Sequence, residues 1–167
     1  MIDDGETLDA RVMVNLDQDL PVVGRFVGRE HRFPVRVYFE DTDLSGIVYH
    51  ANYLRFMERA RSDMLRCAGI DQRAAFEAEM GTYAVADLAI RYRAPARLDD
   101  ALVVVSRLVA LGAATCRIHQ TVMRERLILT DAQVTAAFVA PSGKPARQPK
   151  PWIDAFRALI VAEDEDA

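Results

Sequence analysis

Apolar positions change their period twice along this chain. Phe33 to Glu40 is short and rich in Val, Tyr and Phe, which predicts a β-strand. The turn formers Asp41-Thr42-Asp43-Leu44-Ser45-Gly46 break it. From His50 to Ala68, Tyr53, Phe56, Met57, Ala60, Met64 and Cys67 recur at spacings of three and four, one apolar stripe on a helix. The opposite face carries Arg55, Glu58, Arg59, Ser62, Asp63 and Arg66, and Gly69 supplies a stop. Asp71 to Met80 reads as a loop or short helix. Strand character then returns four times. Thr82 to Arg93 alternates in part and stops at Ala94-Pro95, and Ala101 to Val109 is a nearly continuous apolar run ending at Gly112. Thr115 to Met123 puts Cys116, Ile118, Gln120 and Val122 on one side, and Leu127 to Val139 closes at Pro141-Ser142-Gly143. One long helix with strands joined mostly by tight turns predicts an α+β domain, an antiparallel sheet wrapped on a single buried helix.

The ends break this pattern. Residues 1–31 are weakly periodic and acidic, and read as an N-terminal extension or a loosely docked segment. Residues 32–161 form the expected domain, and 162–167 a solvated acidic tail. A length of 167 residues suits one domain, and 51% hydrophobic with 28% charged residues is ordinary globular composition. The formal charge of -4 argues against a nucleic-acid partner, which needs a basic footprint. All but Lys144 and Lys150 of the 21 basic residues are arginines, scattered along the chain. Cys67 and Cys116 have no metal or redox spacing, and no His/Cys/carboxylate cluster has ligand spacing along the chain. No metal and no cofactor are expected. The acidic N-terminus has no apolar stretch of signal type, and no run approaches the roughly 18 apolar residues of a membrane span. A cytoplasmic protein with no integral membrane segment is the expectation.

Candidate chemistry concentrates at the start of the helix. Glu40, Asp41 and Asp43 precede a turn, the apolar Ile47 and Val48, and then His50. A carboxylate in a loop before a helix faces unpaired backbone N–H groups, which with the macrodipole can hold developing oxyanion charge. Capping is the competing reading, because Asp and Ser are ordinary residues before a helix. The pattern alone leaves both open.

The stretch resembles the signature of the 4-hydroxybenzoyl-CoA thioesterase-like hotdog family, especially its Tol-Pal-associated acyl-CoA thioesterase branch. The matching residues are Tyr38, Glu40-Asp41-Thr42-Asp43, Gly46, Val48-Tyr49-His50 and Tyr53, continuing through Glu58-Arg59-Ala60-Arg61 and Met64-Leu65-Arg66. Tyr92 and Ala94-Pro95-Ala96-Arg97-Leu98-Asp99-Asp100 form a second block, and Lys144, Arg147 and Pro149 resemble the branch's C-terminal end. The likeness covers roughly residues 33 to 150. It implies a hotdog fold, hydrolysis of acyl-CoA, and active sites formed between subunits of a homodimer or homotetramer.

Carried over by position, the catalytic aspartate falls on Asp43 and its companion histidine on His50. Oxyanion donors are expected from the backbone of Tyr49 and His50. Asp41 and Glu40 are read as structural, and Glu58 as a partner of Arg55 or Arg59. In aromatic-acyl members a basic turn between later strands grips the nucleotide phosphates. Here that turn is Leu111-Gly112-Ala113-Ala114, so Lys144, Arg147 and Lys150 are the substitute binding residues. Two rivals use the same fold: an enoyl-CoA hydratase or dehydratase, and a non-catalytic acyl-CoA-binding domain. Six residues between Asp43 and His50, rather than four, disfavour the first. The acidic N-terminal segment, a poor DNA-binding element, disfavours the second.

Overall fold

The computed structural model describes residues 21–160. Within them the order is β1 (Arg25–Val27), β2 (Glu30–Arg36), a 3₁₀ turn (Phe39–Asp41), α1 (His50–Cys67), α2 (Gln72–Glu77), β3 (Thr82–Tyr92), β4 (Ala101–Leu111), β5 (Thr115–Arg124), β6 (Leu127–Val139) and α3 (Lys150–Arg157). The six strands form one sheet in the order β1-β2-β4-β5-β6-β3, every pair antiparallel. The expected wrapping of a sheet on one long helix is therefore observed. No helix among the described residues is long and apolar enough to cross a membrane.

Helix α1 is about 27 Å long at 1.5 Å per residue. Its stripe of Tyr53, Phe56, Met57, Ala60 and Met64 is buried. The N-terminal part packs with Val35, Val37, Val104, Val122 and Leu129, and the C-terminal part with Leu108, Ile118 and Phe156. Burying a large apolar side chain is worth roughly 1.5–3 kcal/mol, so this contact dominates the core. The partial alternation of β3 has a visible cause, a register shift against β6 between Val85 and Asp87.

Four sequence expectations need correction. The first strand ends at Arg36, not Glu40. The Tyr38 N–H donates to the Asp41 carboxylate at 2.8 Å, and this local bond turns the chain into a 3₁₀ turn. The proposed boundary at 31/32 falls inside β2, and β1 pairs with β2 upstream of it, so residues from Arg25 on belong to the sheet. The rest of the extension, residues 1–20, and the tail 162–167 lie outside the described residues. The sequence pattern predicts no helix over Lys150–Arg157, since eight residues give little periodicity, yet α3 forms there and buries Phe156. Finally, Asp63 is not on a solvated face. It is 2% exposed, while Cys67 of the apolar stripe is exposed.

Asp63 fastens the N-terminal strands to α1. Its Oδ2 accepts the His31 Nε2–H at 2.9 Å, the Gly24 N–H at 2.8 Å and the Cys67 thiol at 3.6 Å, and its Oδ1 accepts Arg66 at 3.1 Å. A Cβ on Gly24 would lie 2.6 Å from Asp63 Oδ2, 2.6 Å from His31 Nε2 and 2.7 Å from the Arg32 carbonyl oxygen. Backbone and buried side chains both resist displacement there. Gly24→Ala should therefore destabilise the protein by about 1–3 kcal/mol, as overpacking does. Thermal melting checks this, at roughly 2–4 °C per kcal/mol for a chain of this size; an unchanged Tm would show that the strand simply shifts aside.

Candidate active site

The loop between β2 and α1 is organised around Asp41. Besides its carboxylate bond to Tyr38, its carbonyl oxygen accepts the Tyr49 N–H at 2.9 Å and the Asn52 side-chain N–H at 3.0 Å. Asp41 is 6% exposed. Residues 42–48 then fold back on themselves through a bridge between Thr42 and Val48. The Asp43 N–H donates to the Ile47 carbonyl at 3.1 Å and the Gly46 N–H to the Asp43 carbonyl at 2.9 Å. Gly46 closes this turn at φ 73°, a left-handed conformation that glycine adopts without steric penalty.

Asp43 occupies the turn and is exposed. Its Oδ1 accepts the Ser45 N–H at 2.8 Å and the Ser45 hydroxyl; among the described residues the other oxygen accepts none. The Ser45 hydroxyl first and its N–H second hold the carboxyl below the usual aspartate range, and the nearby His50 adds to the effect. Asp43 is thus an anion held by one side, with the other open.

Asp43, Ile47, His50, Tyr53, Tyr92 and Pro95 line an open cleft of about 410 Å³. The cleft is assembled from the loop, the start of α1 and the end of β3. The Tyr92 hydroxyl donates to the His50 carbonyl at 3.0 Å, tying the strand end to the first helical turn. The Ala96 N–H donates to the Tyr53 hydroxyl at 2.8 Å, and the Val48 N–H to the Ala96 carbonyl at 2.8 Å. The His50 ring lies between Tyr49, 4.5 Å away by centroids, and Tyr92, 6.2 Å away edge-to-face.

The expected site residues divide sharply. Asp43 and His50 meet in the cleft. The Tyr49 N–H is already bonded to Asp41, so it is not free to serve an oxyanion. In the first turn the Asn52 N–H is bonded to the Tyr49 carbonyl at 2.8 Å, so the N–H groups of His50 and Ala51, which have no acceptor four residues back in the helix, remain the candidates. Glu58 contacts Arg61 and Ser62 rather than Arg55 or Arg59. Lys144, Arg147 and Lys150 are exposed and sit at the other end of the β3–β6 pair, where Thr82 meets Val139. The ten steps along β3 at about 3.3 Å each put them roughly 33 Å from the cleft along the strand. They flank the uncharged turn: the Gln148 side-chain N–H donates to the Gly112 carbonyl at 2.8 Å and its backbone N–H to Ala113 at 2.9 Å. Two supporting residues, Asn52 and Tyr92, carried no mechanistic signal in the sequence, since each is a plain polar or aromatic position until its partner is known.

Comparison with known proteins agrees with this architecture. The profile of the thioesterase-like superfamily matches residues 37–158. The acyl-CoA thioesterase YbgC of Haemophilus influenzae is 43% identical over 128 residues, covering 76% of this chain and 94% of that protein. A probable thioesterase from Bartonella henselae superposes with a TM-score of 0.68 at 36% identity, covering 72% of this chain and 99% of the other. A 1,4-dihydroxy-2-naphthoyl-CoA thioesterase from Synechocystis gives a TM-score of 0.72 at 23% identity, over 77% and 96% of the two chains, and speaks for the fold alone. From the profile match, the extended similarity and the sheet wrapped on α1, the chain belongs to the thioesterase-like superfamily.

Proposed function

We propose that this protein hydrolyses acyl-CoA thioesters, with Asp43 as the catalytic carboxylate and His50 as its companion. The observation that carries the assignment is the contrast between the two loop aspartates. Asp41 is buried and committed to the backbone, whereas Asp43 is exposed beside a cleft at the start of α1. The names of the relatives supply the substrate class.

The chemistry needs few parts. A coenzyme A thiol resembles cysteine, with pKa about 8.5, and leaves without a strong general acid. What remains is attack on the carbonyl carbon and stabilisation of the oxyanion. Asp43 attacks directly or takes a proton from an attacking water. The N–H groups opening α1, with the helix dipole behind them, receive the oxyanion. The His50 imidazole donates to the thioester oxygen or holds the water in line.

A second copy of the chain completes the reading. Strand β3 is an 11-residue sheet edge with Val85 and Tyr92 about half exposed, and such an edge invites pairing. Antiparallel pairing of β3 with its copy sets the Thr82 end of one subunit against the Tyr92 end of the other. Lys144, Arg147 and Lys150 of the partner subunit then approach the Asp43 cleft, and the coenzyme A phosphates are held in trans.

Asp43→Asn keeps the turn's shape but removes the charge, so kcat should fall at least about 100-fold with the fold intact. Asp41→Asn should instead lower the Tm, and survival of full activity in a folded Asp43→Asn protein would return Asp43 to a capping role. Because Ser45 depresses the Asp43 pKa, the acid limb of the kcat/KM profile should lie below the ordinary aspartate value of about 3.9. Removing the hydroxyl in Ser45→Ala should move that limb to higher pH; no movement would show that the limb belongs to another group. Light scattering should give at least a dimer. Neutralising Lys144, Arg147 and Lys150 together should raise KM for acyl-CoA more than for a short thioester without the nucleotide, with the difference shrinking as salt rises. Equal losses on both substrates would remove these residues from the binding site.

A further inference from the structure

Three metal-binding donor types converge away from the cleft. His31 Nε2, Asp63 Oδ2 and Cys67 Sγ lie within 4.8 Å of one another, contributed by β2 and by consecutive turns of α1. Counting 17 residues of helix from His50 to Cys67, the cluster stands about 26 Å from the start of α1, so it is no part of the cleft. His31 is fully buried and Asp63 nearly so, while Cys67 is exposed and gives a route in from solvent.

From this convergence we infer that His31, Asp63 and Cys67 form a binding site for a zinc-type divalent cation that joins strand β2 to helix α1. Zinc bonds of about 2.0–2.3 Å in a tetrahedron place donors roughly 3.3–3.6 Å apart. Here Asp63 Oδ2 is 2.9 Å from His31 Nε2 and 3.6 Å from Cys67 Sγ, and all three donors lie within 4.8 Å, so the change needed is a few tenths of an ångström for the first pair and a rotation of the exposed Cys67 side chain. The mixed N, O and S donor set suits a borderline cation such as zinc better than calcium or magnesium, which take oxygen ligands. The fourth position falls to water, or to the Gly24 carbonyl oxygen, which is 3.6 Å from Cys67 Sγ.

The surroundings support the carboxylate ligand. Ligating carboxylates are themselves hydrogen-bonded in metal centres, and Asp63 is held by the Gly24 N–H on Oδ2 and by Arg66 on Oδ1. The His31 ring is fixed edge-on against Phe26 at 5.3 Å. Its Nδ1 is buried without a hydrogen-bond partner among the described residues, so the ring is held by packing and not by the outer-shell acceptor usual for a ligating histidine. A bound cation has a balanced proton inventory: the imidazole proton passes from Nε2 to Nδ1, and the Cys67 thiol releases its proton to solvent as the thiolate binds. The spacing rules that exclude a metal along the chain do not apply, because the ligands are 32 and 4 residues apart and meet only when β2 packs on α1.

The test uses the full chain, treated with chelator and then titrated with Zn²⁺ or Co²⁺. One equivalent of Zn²⁺ should bind, and Tm should rise by roughly 5–10 °C at about 100 times Kd. Co²⁺ should give a thiolate charge-transfer band in the near ultraviolet. Cys67→Ser, at an exposed position, should remain folded, lose the band and weaken binding by more than the 10- to 100-fold typical of an outer-shell partner. Cys116→Ser should keep both. Failure of the wild-type protein to take up either ion overturns the proposal, as does stoichiometric binding that survives unchanged in Cys67→Ser.

Discussion

Everything in this fold leans on α1. One helix supplies the apolar surface on which the inner faces of the long strands are buried, and Phe56, Met57 and Ala60 at its middle are completely inaccessible. A sheet whose inner face rests on a single cylinder must curve around it, and interior packing leaves little freedom in how the two fit. The helix start is therefore fixed relative to the strand ends. That is why a short loop such as residues 37–49 can present a carboxylate at a constant position without being rigid by itself.

The two ends of α1 are secured by different chemistry. At the N-terminal end Asp41 acts through its carboxylate and carbonyl together, gathering Tyr38, Tyr49 and Asn52. Because those bonds are local and buried, the next aspartate is left outside them and remains available. At the other end Asp63 gathers donors from β1–β2 and from its own helix. Burying a polar group is costly unless it is hydrogen-bonded, and these donors satisfy the Asp63 carboxylate. Between them runs a third polar set, in which Gln120 accepts from Arg61 at 2.7 Å and donates to the Met57 carbonyl and the Ser106 hydroxyl. These bonds set the register of α1 over β4 and β5, a precision that apolar contact alone does not provide.

The two ends of β3 border different chemistry. The cleft with Asp43 is at one end of the strand and the segment of Lys144, Arg147 and Lys150 is at the other, so a single chain keeps the two apart. Between them β3 is a sheet edge, and under the pairing proposed above a two-fold axis at its middle would exchange the ends. The neutral turn at Gly112 to Ala114 and the cationic segment that packs beside it are then two parts of one surface, the second carrying the charge the first lacks.

The amino-acid sequence by itself determined the features whose signal is local. The three- and four-residue spacing from Tyr53 to Met64 required a helix with one buried face, alternation in Thr115 to Met123 required a half-buried strand, and the stretch from Tyr38 to Arg66 carried the resemblance to the family in contiguous residues. Burial partners are long-range, and the tertiary structure alone decided those. Asp63 reads as a surface residue until β2 lays His31 against it, and the Tyr49 N–H reads as a free donor until Asp41 takes it. Likewise Lys144, Arg147 and Lys150 read as neighbours of the site until the strand order puts them at the opposite end of the sheet. The physical reason is the same in each case: hydrophobic periodicity is written every two to four residues, while the partner of a polar group is chosen by packing between segments far apart in the chain.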